Sequence, residues 1–415
     1  METIKSEKAE INTTKPFYNI TIPSDWIVKN LIDCCLIKGE YGINAAAVEY
    51  AEELPTYIRI TDIDDDGYYS AIKKASVNDE DSSKYILSRG DILFARTGAT
   101  VGKTYLYEES DGNLVFAGFL IRFRPNENIL LPEHLKYFTS TKTYWDWVKT
   151  VSMRSGQPGI NAEEYGSLKI PLPHPFEQRA IGHILGLMDS AISKNNQLIA
   201  QKELRKKWLM QNLLTGKKRL KGFEGEWKKL GAGEVFKSIT VKGFEDEELL
   251  SATQDRGIIP RTMLEGRVTM PDGTTAGYKL VEPGDFVISL RSFQGGLEYS
   301  YYRGIVSPAY IVLKPKKKIN DEFYKQYYKS YEFIGRLATA VIGIRDGKQI
   351  SYDDYCIVKI PFPSLEEQTA IAQVLQAADK EIQLLKAKTD KLREQKKGMM
   401  QVLLTGKKRL KMDNE

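Results

Sequence analysis

The sequence predicts a mixed α/β (α+β) fold: two α/β globules in a pseudo-twofold tandem repeat, separated by two long antiparallel helices forming a coiled coil. An internal repeat, a heptad seam and the strand-length apolar runs ahead of each seam carry that prediction. Residues 213–221 read LLTGKKRLK, and residues 403–411 read the same nine letters at an offset of 190. The offset holds upstream. Ile160, Tyr165, Lys169, Pro171, Glu177, Gln178, Ile181, Leu185 and Asp189 return as Ile350, Tyr355, Lys359, Pro361, Glu367, Gln368, Ile371, Leu375 and Asp379. A period of this length marks a duplicated structural unit rather than a local motif.

In chain order, the polar residues 1–16 read as a disordered lead and 17–173 as the first globule. Residues 174–221 form a helical spacer, 222–363 the second globule and 364–411 a second helical spacer. Within the globules, 57–63, 91–96 and 119–123 are β-like runs, echoed by 286–290 and 309–313. Residues 132–148 and 321–340 read as helices, with Leu135, Phe138 and Trp145 on one apolar face. A globule of about 150 residues is large enough to bury its own core. The copies share little over 43–88 and 244–281 but nearly coincide after Pro173 and Pro363. One part of the unit holds a common job, and the other was free to diverge.

The second spacer has the cleaner seam. Ile371, Leu375, Ala378, Ile382, Leu385, Leu392, Met399 and Leu403 alternate at four and three residues, with Thr389 and Lys396 in the remaining slots. In the first spacer Ile181, Leu185, Met188, Ile192, Ile199, Leu209 and Leu213 keep the register, but Asn195, Lys202 and Lys206 interrupt it. A seam of this kind calls for a helical partner, and polar residues within it fix register or face something else. Proline-rich entries (IPLPHP, IPFPS) open each helix, and Gly216 and Gly406 close it. At about 1.5 Å per residue such a helix is a rod of roughly 57 Å, a device that measures distance.

Composition bounds the function. Of 415 residues 42% are hydrophobic, and Lys+Arg exceed Asp+Glu by 60 to 55, a net charge of +5 that by itself selects no partner. No apolar run reaches membrane-spanning length, and the charged N-terminus is no secretory signal. Cys34, Cys35 and Cys356 form no CxxC pair, which argues against a zinc or disulfide framework and for a reducing cytoplasm. The segment GATVGKT (98–104) falls one residue short of a phosphate-binding loop, and strand-like TYLYEE follows where a helix is needed. DIDDDG (62–67) has Lys73 where a calcium loop needs Glu. His134, His174 and His183 lack metal spacing. No hydrolase, methyltransferase or cofactor-loop motif appears. Together these observations favour a binding protein over an enzyme, with no metal and no cofactor held by this chain.

Two polar loops recur in each copy. In the first copy they carry Arg96, Thr97, Thr100 and Lys103, then Arg154, Ser155 and Gln157. In the second they carry Arg291, Ser292 and Gln294, then Arg345, Lys348 and Gln349. Arg, Gln and Lys on Gly-flanked tips are the groups that read guanine and adenine edges, and Ser and Thr suit phosphate oxygens. The loops share their places but differ in side chains, which fits one scaffold reading two different sequences. A scaffold protein that binds no DNA remains the competing reading, and steep salt dependence of binding separates the two.

The order of variable globule, P-x-P-x-x-E-Q-x-x-I, long helix and L-L-T-G-K-x-R, twice over, resembles the DNA-specificity subunit of type I restriction–modification systems. Trp26/Leu31, residues 90–93, 170–173, Glu177, Gln178, Ile181 and 213–219 carry the match. Their counterparts are Trp227/Leu230, 284–285, 360–363, Glu367, Gln368, Ile371 and 403–409. The resemblance covers residues 17–411. It implies two target recognition domains, each reading half of a bipartite double-stranded DNA site. It also implies helices that set the spacer and dock two methylation subunits along Ile181, Leu185, Ile192, Ile199, Ile371, Leu375, Ile382, Leu385 and Leu392. The methylation subunits would use S-adenosylmethionine, and two restriction subunits would use ATP and Mg; this chain would bind none of these and would itself be non-catalytic.

Overall fold

The computed structural model describes residues 13–153, 158–264, 275–290, 292–340 and 350–410. The chain divides into two compact units, residues 1–194 with 389–415, and residues 195–388. The division falls inside both long helices, so each unit is built from both copies of the repeat.

In the first unit a four-stranded antiparallel sheet runs Cys35–Tyr41, Leu120–Pro125, Ile92–Ala95, Thr104–Leu106. The second unit repeats it as Phe236–Ile239, Ile311–Pro315, Phe286–Ile288, Glu298–Tyr299. The registers coincide: Ile92 faces Phe123, and Phe286 faces Leu313. In both units the KIP strand pairs antiparallel with the strand after the early tryptophan, Lys169–Leu172 with Ile27–Asn30 and Lys359–Phe362 with Lys228–Gly231. The divergent stretches build different annexes. In the first unit Leu114–Phe116, Thr56–Ile58, Ala75–Val77 and Ala47–Glu49 form a second sheet with one parallel pair. In the second unit Leu250–Thr253 with Gly257–Pro260, and Lys279–Val281 with Gly304–Val306, remain two-stranded.

The β-like runs hold with shifted ends, and the expected strand 57–63 stops at Ile58, giving way to a 3₁₀ turn over Ile60–Asp62. Strand pairing also reaches further toward the N-terminus than expected: Thr14–Phe17 pairs with Ile20–Pro23, so the expected lead ends before residue 14. Residues 1–12 lie outside the described residues. Each expected globule helix is in fact two. The first breaks between Pro132–Phe138 and Lys142–Val151. There Thr139 and Thr141 donate their hydroxyls to the Lys136 and Phe138 carbonyls, and the Thr141 oxygen then caps the next helix at the Tyr144 N–H. Such local bonds compete with helix continuation. The second breaks between Asp321–Tyr328 and Tyr331–Ala340. The first break, between Phe138 and Lys142, also turns Trp145 out of the apolar face: it is exposed, while Leu135 and Phe138 are buried.

The long helices span Pro175–Leu213 and Leu365–Leu403, 39 residues each, about 58 Å at the standard rise. Gly216 (φ +72°) and Gly406 (φ +67°) stop them in the left-handed region. A Cβ on Gly406 would meet Pro23 at 2.4 Å, so glycine there also allows the turn to close on the first strand pair. Ile181, Leu185, Ile371, Leu375 and Ile382 are buried, whereas Ile192, Ile199, Leu385 and Leu392 are half-buried.

The polar interruptions of the seam are where the helices bond to each other. In the second unit Asn195 donates to the Leu385 carbonyl at 3.2 Å. Lys202 pairs with Glu381, Lys386 with Glu203 at 2.7 Å and Lys206 with Asp379 at 2.6 Å. In the first unit Lys396 pairs with Asp189 at 2.5 Å. From Asn195 to Lys206 the partners fall from Leu385 to Asp379, and from Glu177 to Asp189 they fall from Arg409 to Lys396, so in each unit the helices run antiparallel. At the repeat offset of 190 the Lys206–Asp379 pair is the Lys396–Asp189 pair with the copies exchanged.

Candidate nucleic-acid interface

In the first unit the sheet end at Arg96 is enclosed by two other segments. Its N–H donates to the Phe119 carbonyl at 3.0 Å, and its own carbonyl accepts the Ile160 N–H at 2.9 Å. Gly98 N–H donates to the Pro158 carbonyl at 3.1 Å, and Thr97 bridges to Gly159. The first expected loop therefore lies against the segment that directly follows residues 154–157. Arg154, Ser155 and Gln157 themselves lie outside the described residues. Thr100 donates its hydroxyl to the Thr97 carbonyl at 3.2 Å, and Lys103 pairs with exposed Asp65 at 2.5 Å. The loop is bolted from behind by two buried tyrosines. Tyr144 donates to the Gly102 carbonyl at 2.7 Å, Tyr165 donates to the Ala95 carbonyl at 2.7 Å, and Tyr165 accepts the Gly102 N–H at 3.1 Å. Gly102 (φ +89°) has no room for a side chain, since a Cβ would lie 2.7 Å from Val148.

The second unit fixes the corresponding loop by other means. Ser292 is buried, its hydroxyl accepting the Ser289 N–H at 2.8 Å, so it shapes the turn into the short helix Ser292–Gly295. Gln294 is exposed on that helix. Lys329 donates to the Gln254 and Gly295 carbonyls and pairs with buried Glu298 at 2.6 Å. Burial pushes the Glu298 carboxyl up, and the Lys329 ammonium opposes it. Gly296 (φ +78°) is pressed so closely on the Tyr328 carbonyl that a Cβ would overlap it at 1.8 Å. Arg291, Arg345, Lys348 and Gln349 lie outside the described residues. In the lysine run at 314–318, Lys314 pairs with Glu282 and Lys316 donates to the Gly233 carbonyl at 2.5 Å, so both are engaged inside the unit.

Two globules with the same core sheet thus present loops of different composition at the same sheet end. A family model described as type I restriction modification DNA specificity domain matches this chain twice, over residues 23–203 and 225–394. The chain belongs to this family. It is a DNA-specificity subunit with two recognition domains, and the catalytic work of such systems lies in other subunits. Its relatives include two specificity subunits of Methanocaldococcus jannaschii type I restriction enzymes. MjaX is 29% identical over 94% of this chain and 95% of its own length, and MjaVIII is 25% identical over 96% of each. Among solved structures the fold is shared with the Type-I restriction-modification system S subunit of M. genitalium, at a TM-score of 0.54 and 15% identity over 94% of this chain and 97% of that one. It is also shared with the HsdS subunit of Thermoanaerobacter tengcongensis, at 0.51 and 20% over 93% and 98%.

The specificity subunit also contains a paired contact whose role the sequence reading missed. In the first unit Arg409 forks onto Glu177, at 2.6 and 2.8 Å, and reaches Asp25 at 3.1 Å. In the second unit Arg219 forks onto Glu367, at 2.5 and 2.7 Å. Each arginine lies just past the end of one copy's long helix, and each glutamate stands in the first turn of the other's. The adjacent glutamines tie those helix starts to their own globules. Gln178 accepts the Leu131 N–H at 2.9 Å, and Gln368 accepts the Asn320 N–H at 2.8 Å. Identical E-Q and G-K-K-R letters at one offset were the available signal; what was missing was that each copy's arginine serves the other copy's glutamate. Among the described residues no cluster could hold a metal, and no helix is long and apolar enough to cross a membrane.

Proposed function

We propose that the first recognition domain reads one half of a bipartite double-stranded DNA site and the second domain reads the other half. The long helices set the unread spacer and dock two methylation subunits, to which two restriction subunits add. S-adenosylmethionine, ATP and Mg serve those partners in the cytoplasm, and this chain holds none of them. The observation that carries the reading is the common core sheet presenting differently composed loops, joined to helix ends that are the same in both copies. A reader that must recognise two unlike sequences with one pair of identical partners needs that division.

Of the expected contacts, Arg96, Thr97, Thr100 and Lys103 share a rim with the segment after Gln157, which supports a single DNA-facing edge in the first domain. Arg154, Ser155 and Gln157 join them by sequence, as do Arg291, Arg345, Lys348 and Gln349 around Gln294 in the second. Ser292 supports this edge through the backbone of its turn. Single-molecule methylation sequencing of the host genome, with the gene present and deleted, tests the reading. A bipartite adenine-methylated motif that vanishes on deletion is the expected result, and an unchanged methylome overturns it. Inserting one helical turn, roughly 5.4 Å, into both long helices should lengthen the spacer by 1–2 base pairs of about 3.4 Å. An unchanged spacer removes the ruler role.

A further inference from the structure

The rim of the first domain carries an exposed aromatic ring that the fold itself does not use. Phe119 sits in the turn between Leu114–Phe116 and Leu120–Pro125 and is 56% exposed. The backbone beneath it is tightly held. Gly118 N–H donates to the Ile43 carbonyl at 2.8 Å, and Gly42 N–H donates to the Leu120 carbonyl at 3.1 Å. A Cβ on Gly42 would lie 2.3 Å from the Ala117 oxygen, so the turn is pressed flat against the neighbouring strand end. A ring projected from a fixed backbone loses little freedom when it makes a contact.

Beside it stands Arg96, which the domain also holds in place without neutralising. Its guanidinium lies 4.9 Å from the Tyr41 ring centre and donates to the Gly118 carbonyl at 3.4 Å. The Tyr41 hydroxyl in turn accepts the Ala162 N–H at 3.1 Å. Other arginines of this domain are spent on carboxylates: Arg59 on Asp62, Arg124 on Asp91, Arg122 on Glu40 and Asp91. Among the described residues Arg96 has no carboxylate partner. A single exposed aromatic side chain is ordinary on any surface. One whose carbonyl takes the Arg96 backbone N–H, and whose neighbour Gly118 takes the pre-oriented, unneutralised Arg96 guanidinium, is half of a two-part recognition element.

The chemistry of the major groove matches those two parts. Guanine offers O6 and N7 to an arginine fork, and the apolar projection from the base pairs is the 5-methyl group of thymine. We propose that Phe119 is a sequence-reading contact of the first domain, packing on a thymine 5-methyl group next to the base addressed by Arg96. This rests on the reading that the first domain contacts DNA. The strand registers align Ile92 with Phe286 and Phe123 with Leu313, which places Leu290 at the position of Arg96 and Ala309 at that of Phe119. At those two positions the second domain carries neither an arginine nor an aromatic ring, so this pairing is assigned to the first half-site.

The test uses the full chain with its methylation partners on duplexes carrying the mapped bipartite site. Each thymine of the half-site read by the first domain is replaced in turn by deoxyuridine, which lacks only the 5-methyl group. One replacement should weaken binding by the wild-type chain about 4-fold, the worth of one buried methyl. Phe119→Ala should bind the thymine and deoxyuridine duplexes equally, and Phe119→Leu should keep part of the preference. Deoxyuridine scanning of the other half-site should be the same for all three chains, which shows that the variants are folded and assembled. Insensitivity of the wild-type chain to every replacement, or full thymine preference in Phe119→Ala, overturns the assignment of Phe119 while leaving site recognition standing. Absence of any site-dependent binding instead removes the DNA reading, and Phe119 falls with it.

Discussion

The two helix-end clasps are the same arginine–glutamate fork built twice from the same letters, and they differ in what surrounds the fork. In the second unit Glu367 receives the Arg219 fork and also the Trp227 indole N–H at 2.9 Å. In the first unit Glu177 receives the Arg409 fork, but the Trp26 indole N–H finds no acceptor among the described residues, and Arg409 is shared with Asp25. Both arginines lie over their tryptophan rings, at 5.5 and 5.8 Å. Identical sequence in the common part therefore guarantees the fork and not its surroundings: the tryptophans recur at an offset of 201 rather than 190, and Asp25 stands where the second copy has Glu226.

Removing the forks should give the largest effect and the sharpest contrast. The Glu177 and Glu367 side chains are only 5% and 2% exposed, and a buried carboxylate stripped of its partner is costly. Arg409→Met leaves Glu177 without a hydrogen-bond donor and should destabilise the first unit by about 3 kcal/mol. Arg219→Met leaves Glu367 with the Trp227 N–H and should cost about 2 kcal/mol in the second. Native-state hydrogen exchange on the full chain reads the two units separately. Equal losses in both would mean that the indole bond adds nothing.

Acid should separate the copies next. At the repeat offset, His134 and Tyr324 occupy the same place and bond the same carbonyl: His134 Nε2 to Pro171 at 3.1 Å and Tyr324 Oη to Pro361 at 2.9 Å. Burial drives the His134 pKa down to about 4, and its Nδ1 has no partner to receive a second proton's N–H. The unfolded chain takes up that proton near pH 6.5 while the folded first unit refuses it. Stability is therefore present above about 6.5 and is lost as pH falls toward 4, by about 3 kcal/mol. The second unit carries the opposite sign. Burial raises Asp285 to about 6, so its folded form binds a proton first and gains stability as pH falls from about 6 toward 3.8. Hydrogen exchange at pH 7 and pH 5 should show protection falling in the first unit and not in the second. His134→Tyr, which imports the second copy's solution, should flatten the first unit's response; an unchanged slope would place the acid sensitivity elsewhere.

What the sequence disclosed follows the same line between common and diverged parts. The duplication, the two long helices, their glycine stops and the proline entries were legible, because each depends on local chemistry repeated at one offset. The Asn195, Lys202 and Lys206 interruptions could be seen but not resolved, since their partners Leu385, Glu381 and Asp379 lie almost two hundred residues away. The break in the first globule's helix was missed because Thr139 and Thr141 act through hydroxyl-to-carbonyl bonds that leave no trace in hydrophobic periodicity. Of the rim, Arg96 was legible from its residue type. Tyr41 and Phe119 were not, because only the sheet brings residues 41, 96 and 119 together.

The smallest expected effect isolates the indole hydrogen bond that the second clasp makes and the first does not. A hydrogen bond to a charged acceptor is worth more than a neutral one, and Glu367 keeps its arginine when the indole is removed. Trp227→Phe should therefore cost the second unit about 1.5 kcal/mol. Trp26→Phe deletes a buried N–H that has no acceptor, so the loss of ring area is offset by the loss of an unsatisfied donor. Its cost should therefore fall below that of Trp227→Phe. If the two tryptophan variants lose equal stability, ring packing against the helix end governs both clasps, and the indole bond to Glu367 is incidental. If they differ as expected, the clasp in the first unit can be strengthened by giving Trp26 an acceptor, and the two ends of this duplicated chain hold with unequal strength.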